Sequence, residues 1–208
     1  MTFKTTGHIG RSGDQSIARP SVREQLIEAG LQTLHRHGFN GTGVQDITVA
    51  AGVPKGSFYN HFESKEALAL EALERYWQNG AARRVQLSDT SVDPVERLRR
   101  FFRGLSDLAI RQNFQTGCMI GNFSAELSVQ SNEVRDRLAE IYAAWSRAIE
   151  SCVREAEKAG RVQPRLPAAT IATFLVNAWE GAVLRSKVEQ DKSPFDQFER
   201  LVFASIFA

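Results

Sequence analysis

The sequence predicts an all-α protein of about nine helices, and three observations carry the prediction. Apolar residues return every three to four positions through most of the chain, no segment alternates as a strand would, and residues that cap or break helices separate the periodic stretches. The third observation is local. Gly52-Val-Pro-Lys-Gly-Ser-Phe-Tyr-Asn-His-Phe62 follows the short helical run Val44–Ala51, and Gly52-Val53 reads as a turn. Two short helices joined by a glycine-containing turn form a helix-turn-helix, whose second helix lies in the major groove of DNA. The predicted architecture is a small N-terminal helix-turn-helix unit followed by a larger helical region.

The elements follow in order. Residues 1–20 hold Gly7, Gly10, Gly13 and Pro20 with Lys4, Arg11 and Arg19 and little apolar content, which reads as a flexible, mildly basic arm. Such an arm either touches DNA or is an unfolded terminus. Ser21, with Glu24 three residues on, has the pattern of a capping box. Val22, Leu26, Ala29, Gly30 and Leu34 then recur at helical spacing until Gly38 ends the first helix, and Phe39 can fold back onto it. The glycine-rich run 38–43 follows a helix rather than a strand, so it reads as a loop and not as a dinucleotide fingerprint. After the helix-turn-helix, Ser64 caps a helix carrying Ala67, Leu68, Leu70, Ala72, Leu73 and Tyr76. Loop chemistry returns at 88–94. Asp93 then caps a helix with Pro94 in its first turn and Leu98, Phe101, Phe102, Leu105 and Leu108 along it. Residues 113–117 break this helix. A shorter apolar helix is predicted over 118–128, a long amphipathic one over 131–159 ended by Gly160, and two more over 168–190 and from Pro194 through Phe207. The boundaries are an arm at 1–20, a helix-turn-helix domain at 21–66 and a second domain at 67–208.

The whole chain narrows the function. It has 208 residues, 42% of them hydrophobic, and no apolar run approaches the roughly 18–20 residues of a membrane span. The first residues lack the apolar segment of a secretory signal, so a cytoplasmic location is the simplest expectation. Two cysteines, Cys118 and Cys152, are too few for a disulfide framework. The net charge of +2 excludes neither DNA nor a small molecule as partner. His35 and His37 are two apart, which turns them in different directions on a helix, so no metal site is expected there. No nucleophile-elbow, zincin or phosphate-loop pattern is present, and Glu126 and Glu180 sit on separate helices with nothing pairing them as acid and base. No catalysis and no cofactor are expected.

Gly38-Phe39, Thr42, Asp46-Ile47, Ala51-Gly52-Val53, Lys55-Gly56-Ser57-Phe58-Tyr59, His61-Phe62 and Ser64-Lys65-Glu66 together resemble the TetR (AcrR-type) family of bacterial transcriptional regulators. The resemblance covers roughly residues 22–68; the remainder agrees in being helical and of suitable length. Local chemistry accords with it. Ile47, Ala51, Val53, Phe58 and Phe62 can pack the two short helices onto the first, and Gly56 lets the recognition helix approach a duplex closely. Tyr59 and His61 offer polar tips beside an apolar body, suited to phosphate contacts. Thr42 and Lys65 stand near helix N-termini, where phosphates are favoured. The resemblance implies backbone contacts from Lys55, Tyr59, His61 and Lys65, with Gln45, Pro54, Lys55 and Ser57 nearest the base edges. Gln45 stands where the family often has Arg, and so either pairs with adenine or reaches only phosphate. Gly43 stands where the family commonly has a capping Ser or Thr; either Thr42 supplies that cap or a few tenths of a kcal/mol are lost. Tyr59 and His61 are alternatively packing or idle surface residues, and Lys65 is alternatively part of a solvated charged face.

In that family the C-terminal region binds an effector and dimerises. Phe101, Phe102, Leu105, Phe114, Met119, Phe123, Trp145, Phe174 and Trp179 supply the apolar area for an effector pocket, or equally for the core of a helical bundle. Cys118 follows Thr116-Gly117 at the start of a helix, where free amides lower a thiol pKa, and some family members with a similar Gly-Cys segment sense electrophiles or oxidants. The other reading is a buried inert cysteine, as for Cys152. The last two helices are expected to pair between subunits through Ala172, Val176, Gly181, Leu184, Phe198, Val202 and Ile206. The expectation is a homodimeric repressor, released from a palindromic double-stranded DNA operator by a small molecule or by modification of Cys118. An activator, a ligand-independent regulator, and an α-helical binding protein or enzyme are the alternatives.

Overall fold

The computed structural model describes residues 20–162 and 166–207, and among them are ten α-helices, one turn of 3-10 helix and no strand. Most of the expected arm lies outside the described residues. The helices are α1 (Val22–His37), α2 (Val44–Ala51), α3 (Gly56–Tyr59), α4 (Lys65–Asn79), α5 (Ala81–Val85), α6 (Pro94–Arg111), α7 (Met119–Leu127), α8 (Asn132–Lys158), α9 (Ala168–Glu189) and α10 (Ser193–Ser205). The helix beyond the expected number is α5. Gly80 keeps right-handed helical angles (φ −81°, ψ −5°), so it bends the chain out of α4 and lets a further turn and a half form before Ser88.

Capping accounts for the main boundaries. The Oγ of Ser21 accepts from Glu24 N–H at 3.2 Å, Ser64 Oγ from Ala67 N–H at 3.0 Å, and Asp93 Oδ1 from Val95 N–H at 3.0 Å and Glu96 N–H at 3.2 Å. Each satisfies an amide the helix itself leaves unpaired, for about 1 kcal/mol. The box at Ser21 is only half made, because the Glu24 carboxylate turns to Arg75 on α4, at 2.8 Å.

The N-terminal domain packs α1 across α2 and α4. Leu26, Ile27, Leu34, Ile47, Phe58, Leu68 and Leu73 are wholly buried between them. Gly30 is the point of closest approach: a methyl there would run into the Leu68 side chain, so α1 and α4 meet nearer than larger residues allow. Arg23–Glu71 and Arg75–Glu24 bridge the same helices at half-exposed positions, where such pairs add little beyond alignment.

The C-terminal domain is a bundle of α6, α8, α9 and α10 with α7 across one end. Its centre is aromatic. Trp179 stacks on Phe195 at 5.0 Å, while Phe102 meets Phe198 edge-on at 4.9 Å and Phe101 meets Trp145 at 6.4 Å. Between α6 and α7 the chain turns through Asn113 (φ 50°), Phe114 (φ 58°) and Gly117 (φ 68°). Two successive non-glycine residues in the left-handed region cost roughly 1–2 kcal/mol each. The dimer seam expected from sequence needs correction: Ala172, Val176, Phe198 and Val202 are buried within their own chain. The outward apolar residues of these helices are Phe174, Leu184, Val188 and Leu201. The periodicity of α9 is helical all round, so spacing alone did not tell its two faces apart. No described helix is long and apolar enough to cross a membrane.

Candidate DNA-binding face and effector cavity

The turn between α2 and α3 is built on Gly52, which takes the left-handed conformation (φ 67°, ψ 29°) that ends α2, while Val53 N–H reaches back to Thr48 O at 3.0 Å. Phe58 and Phe62 are buried beneath α3 with ring centroids 5.7 Å apart and fix its orientation. Pro54, Lys55, Gly56, Tyr59 and His61 are thereby exposed and Ser57 is half-buried, with Gln45 exposed on the first turn of α2. Tyr59 packs edge-on against Phe58 at 5.2 Å and still leaves 61% of its surface open. A methyl group at Gly56 would meet no atom of the protein within 4 Å.

Two expected phosphate ligands are placed otherwise. Thr42 is buried and its hydroxyl donates to Gly38 O at 2.7 Å, so it neither caps α2 nor faces outward. The cap is Gly43, whose N–H donates to Asp46 Oδ2 at 2.7 Å; with no side chain it returns no bond. The Lys65 ammonium donates to Phe39 O and Thr42 O, both at 2.7 Å, and sits 4.0 Å from the centre of the Phe39 ring. Burial lowers its pKa and the Glu126 charge opposes that. Lys65 is thus fastened into the loop between α1 and α2.

The same loop is held by α7. Glu126 Oε2 accepts from Asn40 N–H at 2.7 Å, and Phe123 meets Phe39 edge-on at 6.5 Å. Just ahead of α7, Gly117 O accepts from His35 Nε2 at 2.9 Å. A carbonyl only accepts, so the proton is on Nε2; burial, and more weakly the Lys187 charge, push the His35 pKa down and keep the ring neutral.

Beneath this junction lies a cavity of about 440 Å³, within the range typical of small-molecule sites. Of the residues expected there, Phe101, Leu105, Cys118, Trp145 and Trp179 line it. Phe102, Met119 and Phe123 are buried in the core instead, filling space between helices. Phe174 is 54% exposed on the outer side of α9 and belongs to neither.

Cys118 is the N-cap of α7, as its sequence position implied, yet its thiol pKa is raised rather than lowered. Burial is the main cause and the Glu180 carboxyl the next, outweighing the helix terminus. Tyr76 Oη donates to the sulfur at 3.8 Å. Glu180 lies over Gly121, so closely that a methyl on Gly121 would overlap its carboxyl. Its Oε1 is buried without a partner, and burial pushes its pKa up to about 7 against a weaker pull from the Cys118 contact. Among the described residues no three His, Cys, Asp or Glu side chains group as a metal site would require.

Comparison with known proteins assigns this arrangement. Residues 26–72 match the bacterial regulatory proteins of the tetR family, and residues 94–202 match the tetracyclin repressor-like C-terminal domain. The chain belongs to the TetR family. Among its TetR-family relatives, the HTH-type transcriptional repressor DhaR of Mycobacterium sp. (strain GP1) is 42% identical over 192 residues, covering 91% of this chain and 94% of that one. The crystal structure of a regulatory protein TetR from Rhodobacter sphaeroides superposes with a TM-score of 0.81 at 34% identity, covering 86% of this chain and 95% of the other. The reduced form of E. coli NemR superposes with a TM-score of 0.78 at 25% identity, covering 89% and 96%. The protein is a DNA-binding transcriptional regulator of this family.

Several cavity residues of this TetR-family chain carried no signal strong enough to be picked out in sequence. His35 reads in sequence only as half of a poorly spaced histidine pair and Tyr76 as a helix position, and Trp77 has no assigned role there. Arg83 and Arg84 are two adjacent cations in the stretch between Tyr76 and the loop at 88–94, for which the sequence predicts no element.

Proposed function

We propose that the chain acts in the cytoplasm as a homodimeric repressor that leaves a palindromic operator when a small molecule occupies the cavity. The observation that carries this is the shared wall. His35 and Gly117 line the cavity and are bonded to each other, and α7, which begins at that point, grips the loop ahead of α2 through Glu126 and Phe123. A ligand that displaces the start of α7 moves the loop that positions α2 and α3. To empty the operator it must bind the displaced state more tightly than the DNA-competent one; affinity shared equally between the two shifts nothing.

Gln45, Pro54, Lys55, Gly56, Ser57, Tyr59 and His61 form the proposed DNA face, with Thr42 and Lys65 shaping the loop from inside. Phe174, Leu184, Val188 and Leu201 form the proposed dimer face, whose two-fold symmetry matches two half-sites one helical turn or a multiple apart. The test is to select genomic DNA with the purified protein and footprint it. Two symmetric half-sites are expected, and Tyr59→Ala should weaken protection at least tenfold without loss of helicity. An asymmetric single site, or full protection by the variant, would refute the assignment.

A second reading keeps Cys118 as the sensor, because it lines the cavity and meets whatever enters. The raised thiol pKa means that an electrophile would have to react with a mostly protonated sulfur. Cys118→Ser separates the two readings: release by electrophiles disappears only if the sulfur is modified.

A further inference from the structure

The cavity wall is electrically one-sided. Arg83 and Arg84, both on α5, line it, while no aspartate or glutamate does. The Arg84 guanidinium sits over Trp77, its carbon 3.3 Å from the ring centre, and folds back across Gly80. Arg83 crosses α6 where Gly104 lacks a side chain, its Nε 3.5 Å from where a Cβ would stand. Among the described residues neither guanidinium forms an ion pair. The acid nearest Arg84 in effect is Glu74, which is committed to Arg137. Burial and the neighbouring Arg83 charge lower the Arg84 pKa, and the Glu74 charge opposes them more weakly. The one titratable base within the cavity, His35, is neutral and spends Nε2 on Gly117. Much of the remaining lining is apolar or aromatic, including Leu105, Phe101 and all three tryptophans of the chain, Trp77, Trp145 and Trp179, beside the neutral amides of Gln32, Asn79 and Gln112.

The geometry points to an organic anion as the effector: an aliphatic or aromatic body seated among the tryptophans, with a carboxylate head received by Arg83 and Arg84. Guanidinium forks match a carboxylate through paired N–H···O bonds, and a desolvated site strengthens them. This rests on the cavity being the effector site, and deepens it by naming the ligand chemistry.

The test uses the full chain and three compounds. N-phenyl-1-naphthylamine, neutral and apolar, reports occupancy by its fluorescence, and phenylbutyrate and its isosteric amide compete for it. The carboxylate should displace the probe at roughly ten- to hundredfold lower concentration than the amide, the size of a charge-assisted contact. Arg83→Gln with Arg84→Gln should abolish that preference while the probe itself binds within about twofold of the native affinity, which also shows that the variant is folded. Equal competition by acid and amide in the native protein, or a preference that survives in the double variant, overturns the anion proposal and leaves the cavity reading intact. The cavity reading fails separately if the probe does not bind, or if Leu105→Trp, which fills the chamber, leaves probe binding unchanged; the anion proposal falls with it.

Discussion

Replacing Gly56 by alanine separates what the fold needs from what the duplex needs. Position 56 opens α3 and its α-carbon faces open space, with no protein atom within 4 Å of the added methyl. Within the free protein, alanine therefore creates no clash and restricts the unfolded chain, a gain of a few tenths of a kcal/mol at a helix end. For a chain of this size that raises the midpoint of thermal unfolding by about 1 °C. At the operator the sign reverses. A methyl forced between a recognition helix and the groove wall is an overpacking event of about 1–3 kcal/mol. A symmetric dimer suffers it twice, so affinity should fall by at least about 30-fold. Fluorescence anisotropy on a labelled operator at fixed salt, beside a thermal melt of the free protein, measures both quantities. Unchanged affinity with an unchanged or higher melting temperature would show that no duplex comes near Gly56, and the DNA face would have to be redrawn.

Two further outcomes follow from the bundle. Leu184→Glu sets a carboxylate on the proposed dimer face at a position 66% exposed in the single chain, so the monomer should fold normally while sedimentation shows the dimer weakened by at least tenfold. Glu180 makes stability fall with rising pH. Its folded-state pKa of about 7 lies above the ordinary 4.5, so its favourable contribution is complete below about 4.5 and is lost as pH rises through 7. That gap corresponds to at most on the order of 3 kcal/mol. The groups around Glu180 that share this site are Cys118, Tyr76 and Tyr142, all pushed above their usual range and uncharged there. Glu180→Gln should hold its stability in urea melts from pH 5 to 8, where the native protein declines; parallel curves would refute the assignment.

What the sequence disclosed was mostly local. Ser21, Ser64 and Asp93 mark helix starts because capping acts over three residues, and those starts are where they were expected. The family of the helix-turn-helix was legible for the same reason: its packing residues, Ile47, Phe58 and Phe62, fall within a span of sixteen positions. Direction across the fold was hidden. Thr42 and Lys65 stand near helix N-termini in sequence, yet both face inward, because the loop from Gly38 to Gly43 doubles back over them. Cys118 was rightly placed at a helix start, but its pKa is raised by burial in the tertiary fold and then by the Glu180 carboxyl, which arrives from α9 far along the chain. Aromatic residues at helical spacing do not declare whether they will fill a core, as Phe123 does, line a chamber, as Trp145 does, or stand outside, as Phe174 does.

The inward turn of Lys65 reaches beyond the loop it fastens. An ammonium bonded to Phe39 O and Thr42 O has spent two of its three donors, leaving one for a phosphate of the duplex. Each phosphate neutralised on B-DNA steepens the log–log dependence of affinity on salt by about 0.9, so a dimer whose Lys65 ammoniums stay on the loop would bind with a slope shallower by about 1.8 than one that turned both to phosphates. Operator occupancy in such a dimer would tolerate swings in ionic strength better than with the two Lys65 contacts made.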